Sequence, residues 1–215
     1  MTRGRRVLVG AGLLAGVAVL RHQGLRRGAT QVERSVDLPG DGVLPFAHLT
    51  ATRGITIAAE PAQVWPWLVQ IGWGRGGFYS YDSLENLVGL DIHSADEIVP
   101  AWQDLAVGDR VHLAPQVGLE VVVAEPRRAL VLAGAAPQGT DAAPAPYDFT
   151  WSFTLRPGPD AGTTRLVVRE RYLCRTPAAR PLVEAVAAVS TLMSTRMLRG
   201  VRDRVESGPA VAAAH

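Results

Sequence analysis

The nine residues YDFTWSFTL at 147–155 alternate without a break, with Tyr147, Phe149, Trp151, Phe153 and Leu155 on one side and Asp148, Thr150, Ser152 and Thr154 on the other. A helix repeats its faces about every 3.6 residues, so strict period-two alternation assigns a strand. Strand-like runs at 110–113, 118–124, 129–133 and 163–173 surround it, and the turns between them are rich in Gly, Pro and Asp, as in RPGPDAG at 156–162. Links this short join antiparallel neighbours, because parallel strands need a long crossover. The chain is therefore expected to build an antiparallel sheet with one face buried and one wet.

Helical periodicity brackets this sheet. Along residues 181–205, Leu182, Val186, Val189, Met193, Met197 and Val201 form one stripe, and Arg196, Arg199, Arg202 and Arg204 fall largely outside it. That pattern predicts a long C-terminal helix with one apolar side. Near the other end, residues 50–58 read as a strand, and Glu60-Pro61 opens a short helix in which Val64, Trp65, Leu68 and Ile71 share a side. Proline suits a first helical turn, where its missing N–H has no partner to lose. A second short helix is predicted over 81–88, ended by Gly89.

Residues 64–86 concentrate three of the five tryptophans and two of the four tyrosines beside a glycine cluster. Large amphipathic rings next to adaptable backbone suit the mouth of a small-molecule cavity. Trp65 and Trp67 sit at helical spacing and are expected in the core. Trp73 and Trp102 fall in loops and are expected, with Tyr79 and Tyr81, to line the pocket.

All 22 basic residues are arginine, and their distribution is uneven. Residues 1–34 hold seven arginines and one glutamate, while residues 35–215 hold fifteen arginines against nineteen acids. A mildly acidic folded part lacks the basic face that nucleic-acid binding requires. The single cysteine, Cys174, rules out an internal disulfide and a multi-cysteine zinc site.

The basic excess flanks an uncharged apolar run at residues 7–20, with three arginines before it and three soon after. This is the layout of a membrane anchor or export signal, and the absence of a small-x-small site favours an anchor that is retained. Fourteen residues reach only about 21 Å as a helix, short of a hydrocarbon core of about 30 Å, so flanking arginine stems and local thinning must supply the rest. The expected organisation is an anchor at 1–27, a linker at 28–45, a ligand-binding domain at 46–206 and a tail at 207–215. The same leader holds a rival pattern. Gly10, Gly12 and Ala15 with Glu33 imitate a dinucleotide fingerprint, which would suggest a nucleotide-dependent oxidoreductase. Against it, residues 35–50 are a Pro- and Gly-containing connector with no crossover helix.

The order of elements, together with EPAQVWPWLVQIG at 60–72, GGFYSYDSLENLVG at 76–89 and QDLAVGDRV at 103–111, resembles the SRPBCC or START-like superfamily, and within it bacterial polyketide cyclase or dehydrase-like members. The resemblance spans roughly residues 46–206. It implies an α+β helix-grip fold, a curved antiparallel sheet wrapped around the long C-terminal helix with an apolar tunnel between them. Such a tunnel suits a small hydrophobic or lipid-like ligand, and the residues themselves lead us to expect no cofactor and no metal. The alternative the resemblance leaves open is a cyclase or dehydratase acting on a polyketide-like carbonyl compound.

Candidate ligand contacts on the sheet are Phe149, Trp151, Glu170 and Tyr172. Glu170 shares its side of the strand with Leu166 and Val168, so an inward carboxylate is expected either to pair with an arginine near the cavity or to serve as a general base. Should the apolar side face outward, Glu170 would be solvated. Tyr79, Tyr81 and Glu170 are the candidate catalysts, although Asp82 beside the tyrosines is equally suited to capping a helix. Asp91, His93, Asp96 and Glu97 crowd one loop, a spacing more typical of turn formers than of metal ligands.

Overall fold

A computed structural model describes residues 24–82, 86, 91–134 and 145–208. The apolar run at 7–20 and most of the helix expected over 81–88 lie outside the described residues. Six strands form one antiparallel sheet: β1 (Leu49–Ile57), β2 (Arg110–Ala114), β3 (Val117–Glu125), β4 (Ala129–Ala133), β5 (Tyr147–Pro157) and β6 (Thr164–Cys174). Their spatial order is β1-β6-β5-β4-β3-β2, so β2 to β6 form a meander and the first strand closes against the last. Register shifts between His112 and Ala114 and between Val121 and Val123 interrupt the ladders. Such bulges bend strands and steepen twist, which curls the sheet toward a gripped helix.

That helix, α3 (Arg180–Glu206), follows a 3-10 turn at Pro177–Ala179 and runs 27 residues. Val183, Ala187, Ser194, Met197, Leu198, Gly200, Val201 and Val205 are its buried positions. Gly200 is the closest approach. A Cβ there would fall inside contact distance of the Tyr79 carbonyl oxygen, so only glycine lets α3 lie against that backbone. The predicted stripe is correct for Met197 and Val201, but Leu182 and Val189 are 47% and 64% exposed.

Helix α2 (Pro61–Val69) starts at the predicted proline, and Gln63 accepts the Glu60 N–H at 3.1 Å. It buries Val64, Trp67 and Leu68 in the main core, with Trp65 packed at its border. Beyond it, Gly72 and Gly77 exchange backbone hydrogen bonds of 3.0 and 3.1 Å around a tight loop with positive φ at Gly72, Gly74 and Gly77. Buried Gln70 fastens the following loop, donating to the Glu97 carbonyl at 3.0 Å and accepting the Val99 N–H at 3.1 Å.

The outer face of the sheet corrects one expectation. Thr150, Ser152 and Thr154, assigned to a wet face, are 3%, 2% and 3% exposed. The cause is the stretch expected as a linker. Helix α1 (Gln31–Ser35) and the 3-10 turn Asp41–Val43 lie in a strap bonded to the outward side chains of β5 and β6. Ser152 Oγ donates to the Pro39 carbonyl at 2.7 Å, and Arg171 Nε donates to that of Leu44 at 3.0 Å. Arg169 donates to the carbonyls of Val36 and Glu33 and pairs with the Asp41 carboxylate. Glu33 closes a capping box with Thr30 and also pairs with Arg165 at 2.6 Å. Burial raises the Glu33 carboxyl's proton affinity, but hydrogen bonds from Arg165 and Thr30 outweigh it and hold the pKa below the usual value. Residues 25–27 meet the free edge of β1, accepting the Thr52 and Gly54 N–H groups through the carbonyls of Leu25 and Arg27.

Candidate functional site

Between the inner face of the sheet and α3 lies a cavity of about 650 Å³. Its sheet wall carries Leu119 from β3 with Tyr147, Phe149, Trp151 and Tyr172, the last four set inward by the alternation of β5 and β6. Phe149 stacks against Tyr172 with ring centroids 4.8 Å apart, and Trp151 against Phe153 at 4.7 Å. The helix wall includes Ala185, Val186, Val189, Leu192, Met193 and Met197, with Ser190 and Ser194 as its polar members. Phe78 and Ser80 close one side from the glycine-rich segment. The lining is overwhelmingly apolar, which favours a guest that loses little hydration on entry.

Behind Tyr172 sits a sealed ionic cluster. Arg53 on β1 and Glu170 on β6 are both 0% exposed, and Arg53 Nη1 donates to Glu170 Oε1 at 2.9 Å. Ser194 Oγ donates to the same oxygen at 2.6 Å, while Tyr172 OH donates to Oε2 at 3.1 Å. Arg53 Nη2 reaches Thr191 Oγ1 at 2.7 Å, which ties the cluster to α3. Burial pushes the Tyr172 hydroxyl well above its usual pKa, and the adjoining Glu170 charge pushes it further the same way. Of the two inward roles expected for Glu170, the geometry is that of the arginine pair. Its carboxylate is occupied and has no surface in the cavity.

The other expected contacts are distributed unevenly. Phe149, Trp151 and Tyr172 line the cavity, whereas Trp73, Tyr79, Tyr81 and Trp102 are not among its lining residues. Tyr79 is 1% exposed and points into the core, where its hydroxyl donates to the Trp67 carbonyl at 3.1 Å and its ring meets Trp67 edge-on. Its φ of 55° turns the chain so that the neighbours Phe78 and Ser80 face the cavity instead. Burial raises the Tyr79 hydroxyl's pKa too, with smaller opposing effects from Gln70, Arg204 and Arg75. Trp73 N–H donates to the His112 carbonyl at 2.7 Å, and the Trp102 carbonyl accepts from Arg75 at 2.7 Å, which places both in the loop framework. Asp82 accepts the Ser94 N–H and hydroxyl at 2.8 and 2.6 Å, and the helix it was expected to cap lies largely outside the described residues. Of the loop acids, Asp91 meets His93 at 3.2 Å and Asp96 pairs with Arg204 at 2.8 Å.

Sequence reasoning missed Phe78, Ser80, Leu113 and Val117. Val117 opens a strand beside a bulge, and Phe78 occupies a loop, so neither has a period to read. Tyr147, by contrast, follows from the same alternation as Phe149. The Glu33 expected on a ribose in the nucleotide reading is spent on Thr30 and Arg165, and the described sheet is antiparallel throughout.

The strand order and the long gripped helix agree with the architecture that the resemblance implied. The fold is a helix grip. No family model and no curated protein matches the chain. Among solved structures, the chain is similar to the Polyketide_cyc-like protein Cgl2372 from Corynebacterium glutamicum, at 18% identity and a TM-score of 0.42 over 80% of this chain and 99% of that one. It is also similar to norcoclaurine synthase from Thalictrum flavum in complex with dopamine and hydroxybenzaldehyde, at 11% identity and a TM-score of 0.47 over 75% and 88%. A third is protein MLL2253 from Mesorhizobium loti, at 18% identity and a TM-score of 0.44 over 74% and 98%.

Proposed function

We propose that this protein binds a small apolar or lipid-like molecule between the sheet and α3, without chemistry of its own, and that residues 7–20 hold it at a membrane. The observation that carries the binding reading is the cavity of about 650 Å³ with its aromatic and aliphatic walls. Drug-sized and acyl-chain ligands occupy volumes of this order, roughly 300–1,000 Å³. Carriage is favoured over proton transfer because Glu170 is buried away from the cavity and engaged by Arg53, Ser194 and Tyr172. A general base needs a free lone pair within reach of the substrate proton. The tether reading rests on the arginine-flanked apolar run of the sequence.

Titration with anilinonaphthalene sulfonate tests the binding site. The full chain is expected to bind the dye saturably, and Ser190→Trp, which places an indole inside the cavity from α3, is expected to weaken binding by about ten-fold or more. Unchanged affinity in a folded Ser190→Trp protein refutes the assignment of the cavity as the site.

A further inference from the structure

The outward side of α3 carries a feature that ligand binding alone does not explain. Leu182, Ala185, Ala188, Val189 and Leu192 recur at helical spacing and are all exposed, with Leu182, Val189 and Leu192 at 47%, 64% and 51%. Soluble helices place charge on the side facing water, yet here Glu184 is the charged residue between Leu182 and Leu192. Ala185, Val189 and Leu192 are at the same time cavity-lining residues, so this apolar stripe borders the cavity mouth. The chain also arrives here. Gly24 lies so near α3 that a Cβ on it would stand 2.9 Å from Thr191 Cγ2. Three residues separate Leu20, the end of the apolar run, from Gly24, a span of at most about 14 Å when fully extended. Arg26 and Arg27 follow at once, both exposed, as is Arg180 at the start of α3.

We propose that the α3 face between Leu182 and Leu192 is the surface this protein lays on an anionic lipid bilayer, so that the cavity mouth opens onto the acyl chains and the guest enters from the membrane. The proposal rests on the reading of the cavity as an apolar ligand site. The exposed leucines and valine would sit at acyl depth, and the arginines at the level of the phosphates. A guest passing directly from bilayer to cavity never crosses water. That removes the largest barrier to exchanging a molecule of low aqueous solubility.

The test uses the full chain and a pyrene-labelled fatty acid, presented either in phosphatidylglycerol–phosphatidylcholine vesicles or as monomer in buffer. Leu182→Glu/Ala188→Glu alters the stripe at two exposed positions that do not line the cavity. It is expected to slow uptake from vesicles by about ten-fold or more, since each buried leucine-sized contact contributes at least that factor, and to leave affinity for the monomeric probe within about two-fold. Uptake from vesicles at the wild-type rate overturns the proposal. So does a wild-type dimer that this variant splits while vesicle uptake stays unchanged, which would assign the face to a second copy. Failure of the wild type to bind the monomeric probe overturns the cavity reading and the proposal with it. A Leu13→Arg/Leu14→Arg variant separates the tether: loss of co-sedimentation with vesicles supports it. Wild-type sedimentation with stripe-dependent uptake removes the tether and upholds the docking face.

Discussion

Replacing Glu170 by Gln leaves the Arg53 guanidinium without a counter-charge at a site where both side chains are sealed from water. Removing one partner of a buried ion pair costs about 3–5 kcal/mol, far more than the pair itself contributes, because the survivor retains its desolvation penalty. The lower end applies here. The glutamine oxygen can still accept a hydrogen bond from Arg53, and Thr191 Oγ1 continues to accept at 2.7 Å. A loss of about 3 kcal/mol corresponds to a fall in Tm of about 6–12 °C for a chain of this length. Thermal melts and urea denaturation of Glu170→Gln, Arg53→Met and the double variant Arg53→Met/Glu170→Leu complete a cycle. The double variant is expected to recover most of the loss, since neither charge then remains buried. Dye affinity of folded Glu170→Gln should match the wild type, because Glu170 presents no surface to the cavity. A Glu170→Gln protein within about 1 kcal/mol of wild type, or a double variant as unstable as the sum of the singles, refutes the account of the cluster.

Gly200→Ala is expected to destabilise the fold by about 1–3 kcal/mol, measured by urea titration, because its methyl group collides with the fixed Tyr79 backbone. The strap gives a pH dependence. Since the folded pKa of Glu33 is depressed, its contribution is fully present above the ordinary carboxyl value of 4.5 and is lost as pH falls through the lower folded value. Stability measured against pH should therefore decline on the acid side of 4.5, and Glu33→Gln should flatten that decline; an unchanged slope refutes the linkage.

The strands and the long helix were legible because their signals are local. The strand predicted at 147–155 is part of β5 (Tyr147–Pro157), and the helix predicted at 181–205 is α3 (Arg180–Glu206). Alternation also placed Phe149, Trp151 and Tyr172 on the cavity side. At Tyr79 there is no alternation to read: the expectation there rested on clustered rings beside glycines, and a positive φ turns its neighbours toward the cavity in its place. Alternation failed on the outer face, where Arg165, Arg169, Arg171 and the threonines have the composition of a solvated surface. Only the strap supplies the carbonyls and carboxylates that bury them.

By itself, then, the sequence determined the helix-grip order of elements and the apolar character of the space between sheet and helix, since both follow from side-chain periodicity along continuous stretches of chain. The tertiary structure alone decided that Glu170 is engaged, that the sheet has no wet outer face at Thr150 and Ser152, and that α3 presents an apolar stripe beside the arriving N-terminal segment. Each of those depends on a partner distant in sequence, 117 residues away for Arg53 and Glu170 and 113 for Ser152 and Pro39. Periodicity records which way a side chain points, while burial and charge compensation are set by whatever the fold brings opposite it.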